Sequence, residues 1–484
     1  MKKLGRWKYS IVFIALIWGI MVEAQNDRRL APFFQQTSVG SFVNNPSILM
    51  NTSWGATSIS PLTSFNVEMQ LPYSLHTLFS QNTTTNSYLI DFGKIAEKTA
   101  RNNSLFLNAA INWVSVSGGQ DNTRWNFSIQ DRLMAGFGFQ DRFVNLINLG
   151  NQPFLGEIIE MKFPVNELHF RSYQFSWAES INDQLDVGIT SKLYFGKSWI
   201  DVKSIFSLYT HEPGDQIDLT VNGKGRASLP VTLESVLNRV STQSASSNYL
   251  FGMNNPGFGI DIGMTYRLNK QVQISACATD IGFIVWNANT TTFKANGIYN
   301  WNGIDLSGKF DFNQLCGLKE HPTMVSFRDS FLNQLIKPKE QNFITTAPMA
   351  LNAGVTYFYK QNIELEAVTR VLFYGHFIRG YLSLNGAVSF NRDWKLYSGL
   401  SFSNRSYFNL PAGVGYQGRR LMMTFMVNNL FGVVIPNWSK TFGGSLNLTY
   451  RVVKNDNRKA LRHYPFFQKN ANKAVKILLF QNSE

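Results

Sequence analysis

Long runs of alternating apolar and polar residues are the feature that most restricts the fold of this chain. In residues 258–268, Phe, Ile, Met, Tyr and Leu alternate with Gly, Asp, Thr and Arg, and residues 442–452 follow the same pattern. Such alternation predicts strands with one apolar face and one polar face. Each run has the roughly 9–11 residues that a tilted strand needs to cross a bilayer. Strands of a soluble sandwich are shorter, at about 5–6 residues.

Short polar turns join these runs into hairpins. GMTYRLNKQVQISA, residues 263–276, is one of them, with Asn269-Lys270 as its turn. Aromatic residues, 14% of the chain, collect at strand ends, which is typical of the girdles at membrane interfaces. Because lipid offers no hydrogen bonds to the backbone, strands that cross it must close into a barrel. We predict an all-β, closed antiparallel transmembrane β-barrel; a soluble secreted β-sandwich is the alternative.

The two ends of the chain differ from the part that alternates. The first residues combine a basic stretch, the apolar run IVFIALIWGIMV and a small residue at Ala24, which is the pattern of a cleaved secretory signal peptide. That run is shorter than the ~20 residues of a spanning helix. A further strand near residues 66–71 stays open. We expect four parts: a signal peptide at 1–24, an N-terminal hatch or plug at 25–65, the barrel at 66–452, and a basic periplasmic tail at 453–484.

Four segments between the hairpins have helical periodicity instead. These segments predict short helices in the long loops of one barrel rim, where they would pack as caps rather than bind a ligand. The Asn269-Lys270 turn belongs to the opposite rim, where turns are short. The four segments are residues 93–104, 140–151, 232–241 and 325–336.

The sequence shows no arrangement of residues that supports catalysis or metal binding. His169 and Ser172 are three residues apart on a predicted strand, which places them on opposite faces. The sequence contains no GxSxG, HExxH, P-loop or GxGxxG pattern. We therefore expect neither an enzyme nor a bound cofactor or metal. Whether Cys277, on a polar strand face, pairs with Cys316, in a predicted loop, stays open.

Polar residues on the inferred inner face are the candidates for a function in the lumen. Charges there can line a pore, hold a plug through ion pairs, or pair between strands and fill the lumen. Asp261 and Arg267 lie on the polar face of one strand. On another strand, the face opposite Ile363, Leu365, Val371 and Phe373 carries Glu364, Glu366, Arg370 and His376.

One strand changes phase along its length. In ATDIGFIVW, residues 278–286, Ala278 continues one alternation, whereas Ile281, Phe283 and Val285 follow the other. A β-bulge near Thr279-Asp280 would return the apolar residues to the outside and bend the strand. The bulge is either purely structural or the site of a lateral gap toward lipid.

Several stretches resemble a known group of proteins. NLINLGNQPFLGE, ELHFRSYQFSWAESINDQLDVGITSKLYFGK and GFGIDIGMTYRLN resemble a Bacteroidota family of predicted outer-membrane β-barrels without assigned function, over most of residues 40–452. Asn45-Pro46-Ser47 is similar to the Asn-Pro-Ala segment of long-chain fatty-acid-transporter barrels. That resemblance implies about fourteen strands, within a range of roughly 12–16, with a plug that contains Asn45 and Pro46, and it suggests passage of a hydrophobic compound.

Together these observations predict an integral protein of the cell outer membrane with both termini in the periplasm. We expect it to bind or pass a small molecule, which the resemblance suggests is hydrophobic. The alternative is a structural or accessory component of a secretion or envelope-assembly complex. The expected partners are therefore outer-membrane lipid, a small hydrophobic ligand or such a complex. The net charge of +14 collects at the chain ends rather than in a basic stripe with aromatics, so nucleic acid is not an expected partner.

The face assignment of the 263–276 hairpin can be tested with one pair of substitutions. Ile274→Arg would place a charge in lipid, and we expect it to impair membrane assembly by about 2–4 kcal/mol near the midplane. Gln273→Arg would point into the lumen and should be tolerated. Membrane-inserted protein would be measured for each variant after outer-membrane fractionation. Equal tolerance of both substitutions would contradict the assignment.

Overall fold

The computed structural model describes thirteen stretches of the chain. The signal-peptide region, the basic tail beyond Val453, Cys316 and the predicted helices at 232–241 and 325–335 lie outside them. The described residues are 45–51, 56–82, 87–120, 122–214, 216–230, 249, 251–301, 310–311, 336–360, 362–390, 393–403, 408–418 and 421–453.

Strands dominate the described residues. In chain order they are β1 (Ala56–Gln70), β2 (Phe79–Asn82), β3 (Ser87–Ile90), β4 (Asn102–Gln120), β5 (Thr123–Gln140), β6 (Ile158–Lys162), β7 (Val165–Ser180), β8 (Leu185–Thr210), β9 (Ile217–Ser228), β10 (Pro256–Arg267), β11 (Val272–Trp286), β12 (Thr290–Trp301), β13 (Phe310–Asp311), β14 (Ile336–Glu340), β15 (Phe343–Thr346), β16 (Ala350–Lys360), β17 (Ile363–Tyr374), β18 (Phe377–Ser389), β19 (Trp394–Ser403), β20 (Ala412–Gln417), β21 (Leu421–Val427) and β22 (Thr441–Val453).

The helices are short. Two of the predicted helical segments hold helices: α2 overlaps the first half of 93–104, and α3 lies within 140–151. Among the described residues, no helix has both the length and the apolar character needed to cross a membrane. The α-helices are α1 (Leu75–Leu78), α2 (Phe92–Lys98), α3 (Asp141–Leu149) and α4 (Leu430–Val434), and the 3₁₀ helices span Pro46–Asn51, Gln152–Phe154 and Pro436–Trp438.

Fourteen antiparallel strands close into one barrel, which confirms the predicted fold class. The first barrel strand bonds to the last, since β1 pairs with β22 on one side and with β4 on the other. The remaining described strands lie outside this ring: β6, β9, β12 and β14 continue the sheet above β8, and β2, β3 and β13 form a small separate sheet. The order around the barrel is β1, β4, β5, β7, β8, β10, β11, β16, β17, β18, β19, β20, β21 and β22, with β15 pairing to the upper part of β11.

The barrel has two unlike rims. Turns of a few residues join the strands at the short-turn rim, which also holds the start of β1 and the end of β22. The long connections, with α1 to α4, lie at the other end, the loop rim. β1 starts at Ala56, ten residues before the predicted barrel boundary. The prediction missed these residues because the polar, proline-containing run ATSISPLTS gives only a weak alternation in sequence.

Exposure separates the two faces of the barrel wall as the alternation predicts. On the 263–276 hairpin, Met264 and Ile274 are 46% and 38% exposed, whereas Gln273 and Cys277 are 6% and 9% exposed. The same outward apolar pattern continues on other strands, for example at Phe425 and Leu446. An apolar exterior around a polar interior is the arrangement of a transmembrane barrel.

The predicted β-bulge is present in β11. The β10–β11 register shifts so that Asp261 lies opposite both Thr279 and Asp280, and Asp280 has a left-handed φ of 57°. Beyond the bulge, Ile281 and Phe283 face outward and are 42% and 45% exposed. On the other side of β11, the ladder is interrupted between β15 and β16. Buried Ala347 and Ala350 pack on the inner side of this interruption.

Candidate functional site: the barrel lumen

A short segment near the N-terminus fills the lower lumen near the short-turn rim. The 3₁₀ helix that begins at Pro46 lies against β7, β8 and β10, and its Ile48 and Leu49 side chains are buried. Ser47 Oγ lies 2.7 Å from Thr265 Oγ1 on β10, and Ser47 also donates to the Asn45 side chain. These contacts hold the segment to one side of the lumen wall.

Two glycines of the wall make room for this segment. A Cβ atom at Gly188 of β8 would lie 2.5 Å from the carbonyl carbon of Pro46, and one at Gly263 of β10 would overlap Asn45. Glycine therefore allows the two backbones to approach closely at both positions. We call Asn45–Leu49 the plug segment.

Four charged side chains form a buried cluster above the plug segment. Lys192 Nζ lies 2.7 Å from Asp261 Oδ2 and 2.6 Å from Asp280 Oδ1, and Arg132 contacts the other oxygen of Asp280 at 2.9 Å. The Tyr194 hydroxyl also donates to Asp280, at 2.9 Å. Each of these charged side chains is at most 5% exposed, and the two positive charges balance the two negative ones. The four-charge cluster joins β5, β8, β10 and β11 from within.

The bulge positions the central carboxylate of this cluster. The backbone N–H of Asp280 donates to Asp261 Oδ1 at 2.6 Å, which fixes the extra residue of β11 against β10. The left-handed backbone of Asp280 turns its side chain inward toward Lys192 and Arg132. The irregularity in the strand and the charge cluster are thus one feature.

An aromatic layer lies above the charges, toward the loop rim. Its buried members include Phe106, Phe170, Trp199 and Trp286, from four different barrel strands. The turn between β17 and β18 reaches into this layer from the other side of the barrel. The Tyr374 hydroxyl in that hairpin donates to the carbonyl of Met134 on β5, at 3.0 Å. The hairpin therefore spans the upper lumen.

Arg379 makes a second bridge across the lumen. Its guanidinium, on β18, donates to Gln70 on β1 and to Ser104 on β4, and it lies 4.4 Å from the ring centroid of Phe106. Because β4 and β18 are far apart in the barrel order, these contacts join opposite walls. A cation over an aromatic ring adds to the hydrogen bonds.

A cavity occupies the other half of the lumen, beside β16 to β22. It holds about 1170 Å³ of empty space, with open solvent at its mouth included. Asn45 of the plug segment touches its inner part, and Asn409, Pro411 and Thr441 touch it near the loop rim. Glu68 and Arg370 are charged residues of its lining. Apolar groups come from Val368, Leu372 and Met426, among others.

The predicted lumen residues are distributed over several places. Asp261 belongs to the four-charge cluster, and Arg370 lines the cavity with Asn45. Arg267 pairs instead with Asp186 near the short-turn rim. Glu364 and Glu366 are buried low on the inner face of β17.

The structure places His376 in a turn rather than on the strand face that alternation indicated. β17 ends at Tyr374, and Gly375, with a φ of 54°, turns the chain into β18. His376 Nε2 then lies 2.7 Å from Asp201 Oδ1 on β8. Alternation could not show this contact, because it joins strands that are far apart in the sequence.

Charged residues of the lumen that were not identified from the sequence include Arg132, Lys192, Arg379 and Glu68. For Lys192 the signal was present, since ITSKLYFG alternates and sets the lysine opposite Ile189 and Leu193. In the described part of the chain, no group of three or more His, Cys, Asp or Glu side chains has the geometry of a metal site. The Cys277 thiol accepts a hydrogen bond from Asn352 Nδ2 at 3.4 Å.

A family model matches most of the chain. Residues 49–428 match the model of a family of unknown function, DUF5723. The chain belongs to the DUF5723 family. No curated protein matches this DUF5723 member in sequence.

Several solved structures match most of the chain at low sequence identity. The toluene transporter TodX of P. putida has 8% identity and a TM-score of 0.39, over 86% of this chain and 94% of TodX. A FadL homologue of Pseudomonas aeruginosa has 10% identity and a TM-score of 0.41, over 85% and 93%. The Ralstonia pickettii toluene transporter TbuX has 11% identity and a TM-score of 0.39, over 88% and 98%.

The four-charge cluster of the DUF5723 member should be sensitive to loss of one partner. Lys192→Met leaves two neighbouring carboxylates buried without the ammonium that both contact, so we expect the free energy of unfolding to fall by about 3–5 kcal/mol. Denaturant titration of the barrel in lipid vesicles measures this change. Lys203→Met, on the exposed part of the same strand, should change it by less than about 0.5 kcal/mol.

A double variant separates charge balance from packing. Lys192→Met with Asp261→Asn keeps the Arg132–Asp280 pair and removes one charge of each sign. It should recover a large part of the stability that Lys192→Met loses. A single variant as stable as the natural chain would contradict a structural role for the cluster.

Proposed function

We propose that this protein binds a small, mainly apolar molecule in the barrel lumen and passes it across the outer membrane. The observation that carries the proposal is the uneven filling of the lumen. The plug segment and the aromatic layer pack one half, whereas the cavity beside β16 to β22 leaves the other half open. A barrel that served only as a scaffold would not need such a cavity in its interior.

The cavity lining supports a ligand with a large apolar part and few polar atoms. Leu372, Met426 and Val368 offer apolar contact, and asparagine and serine side chains such as Asn352 and Ser383 offer hydrogen bonds. Concave sites with an apolar lining and a few polar groups are typical of small-molecule pockets. Arg370 and Glu68 bring opposite charges to the same space and would orient a polar group of the ligand.

The path of such a molecule would run from the loop rim to the plug segment. Asn409 and Thr441 line the cavity near the loop rim, and Asn45 lines it at the plug segment. Passage would therefore require the plug segment to shift away from Gly188 and Gly263. Such a shift would break the contact between Ser47 and Thr265 of β10.

The proposed location is the outer membrane, with both termini in the periplasm. The start of β1 and the end of β22 lie at the same short-turn rim, and short turns are found on the periplasmic side of bacterial barrels. The long loops would then face the outside of the cell, together with the C-terminal part of β8 that pairs with β6 and β9. An origin in the Bacteroidota remains a proposal from the sequence resemblance.

A pair of neighbouring substitutions tests the cavity as the binding site. Ser383→Trp would fill the cavity from β18, whereas Leu384→Trp on the same strand would face lipid, where Leu384 is 47% exposed. We expect small molecules to copurify with the natural chain and with Leu384→Trp, and to be lost from Ser383→Trp. Mass spectrometry of gently purified protein measures this, with unheated gel mobility as the control for folding.

The same purified proteins distinguish transport from an accessory role. If no small molecule copurifies with any folded variant, and planar bilayers show no conductance, the proposal fails. A stable protein partner in a mild pulldown would then favour a component of a secretion or envelope-assembly complex.

A further inference from the structure

The connection between β21 and β22 is unusually apolar for a loop. Residues 428–440 connect the two strands and contain one charged residue, Lys440, which comes directly before β22. Within this connection, Val433, Val434 and Trp438 are 62%, 66% and 66% exposed. Apolar surface is unfavourable in water, so an apolar loop of this kind is expected to be covered. We call residues 430–438, which comprise α4 and the following 3₁₀ helix, the apolar loop.

The barrel strands next to the apolar loop are short, so the wall is low there. β20 has 6 residues and β21 has 7 residues, fewer than the ~9–11 that a tilted strand needs to cross a bilayer. Residues beyond the ends of these strands must therefore complete the crossing on this side. At the loop rim those residues belong to the apolar loop and to the segment around Phe408.

Aromatic contacts connect the apolar loop to the lipid-facing wall. Phe402 faces outward from β19, and its ring lies 6.1 Å from that of Phe408. Phe408 in turn lies 5.9 Å from Phe431 of the apolar loop. The apolar exterior of the barrel thus continues into the loop without a polar break between these rings.

Hydrogen bonds within the apolar loop satisfy much of its backbone. Leu430 N–H donates to the carbonyl of Leu410 at 2.7 Å, and Ile435 N–H donates to that of Phe431 at 2.9 Å. Trp438 N–H donates to the carbonyl of Ile435 at 3.1 Å. Internal pairing of this kind is what a segment at membrane depth requires, because lipid cannot supply the partners.

We propose that the apolar loop lies in the loop-side leaflet of the membrane and contacts lipid directly. Trp438 would anchor it at the interface, where tryptophan is enriched in membrane proteins. The lipid is the occupant that the low wall and the continuous aromatic surface both require.

The apolar loop borders the cavity. Asn428 and Thr441, which flank it in the chain, both line the cavity. The cavity mouth would therefore open beside lipid rather than only toward water. This consequence for ligand entry depends on the proposed function, whereas the position of the loop does not.

Fluorescence quenching by lipid tests the position of the loop. Val434→Cys would carry an environment-sensitive fluorophore in a chain with Cys277→Ala and Cys316→Ser, reconstituted in phosphatidylcholine vesicles that contain nitroxide-labelled lipid. Ile298→Cys on β12, in the sheet above the barrel, is the matched control, since Ile298 is apolar and 64% exposed. Unheated gel mobility shows that each labelled barrel is folded.

We expect the label at position 434 to lose most of its fluorescence to the nitroxide lipid and the label at position 298 to keep its fluorescence. Equal, weak quenching at both positions would overturn the proposal and would leave a protein partner as the occupant of the loop. Because no ligand enters this experiment, its outcome is independent of the proposed transport.

Discussion

The absence of hydrogen-bond partners in lipid is the constraint on which this structure depends. A strand at a sheet edge would leave a row of backbone groups unpaired in the membrane, so the sheet has to close. Closure is provided by β1, which bonds to β4 on one side and to β22 on the other. The period-2 alternation follows, because a closed wall gives each strand one face toward lipid and one toward the lumen.

A polar lumen then has to be filled or left open, and this chain does both. On the side of β5 to β11, the four-charge cluster and the plug segment replace water, with Gly188 and Gly263 giving the plug segment its space. On the side of β16 to β22, smaller side chains leave a cavity. Buried charge pairs rarely increase stability over apolar packing, but loss of one partner is costly. The cluster therefore restricts how β5, β8, β10 and β11 can be arranged.

Much of the fold was predictable because it repeats a local pattern. The exposed face at Met264 and the bulge at Asp280 both follow from the phase of alternation, whereas the strand number came from the resemblance to fatty-acid-transporter barrels. The start of β1 was missed because its first residues alternate weakly. His376 was assigned to a strand because the turn at Gly375 depends on a backbone conformation that alternation does not report.

The lumen was predictable only in part, for a different physical reason. Alternation shows which residues point inward, but not which of them meet. Asp261 was identified as an inward charge, whereas its contact with Lys192 depends on the pairing of β8 with β10, whose residues are distant in sequence. The cavity likewise arises from the barrel order and from the hairpin at Tyr374, neither of which has a local signature.

Closure of the barrel by β1 and β22 is the claim on which the account rests, and a cross-strand disulfide tests it most directly. Phe65 and Leu446 are register partners and both face outward. With Cys277 and Cys316 replaced, Phe65→Cys/Leu446→Cys should form an intramolecular disulfide in membranes, seen as a mobility shift that reductant reverses. Phe65→Cys/Tyr450→Cys, four residues out of register, should not. No cross-link in the first pair, or equal cross-linking in both, would contradict closure through this pairing.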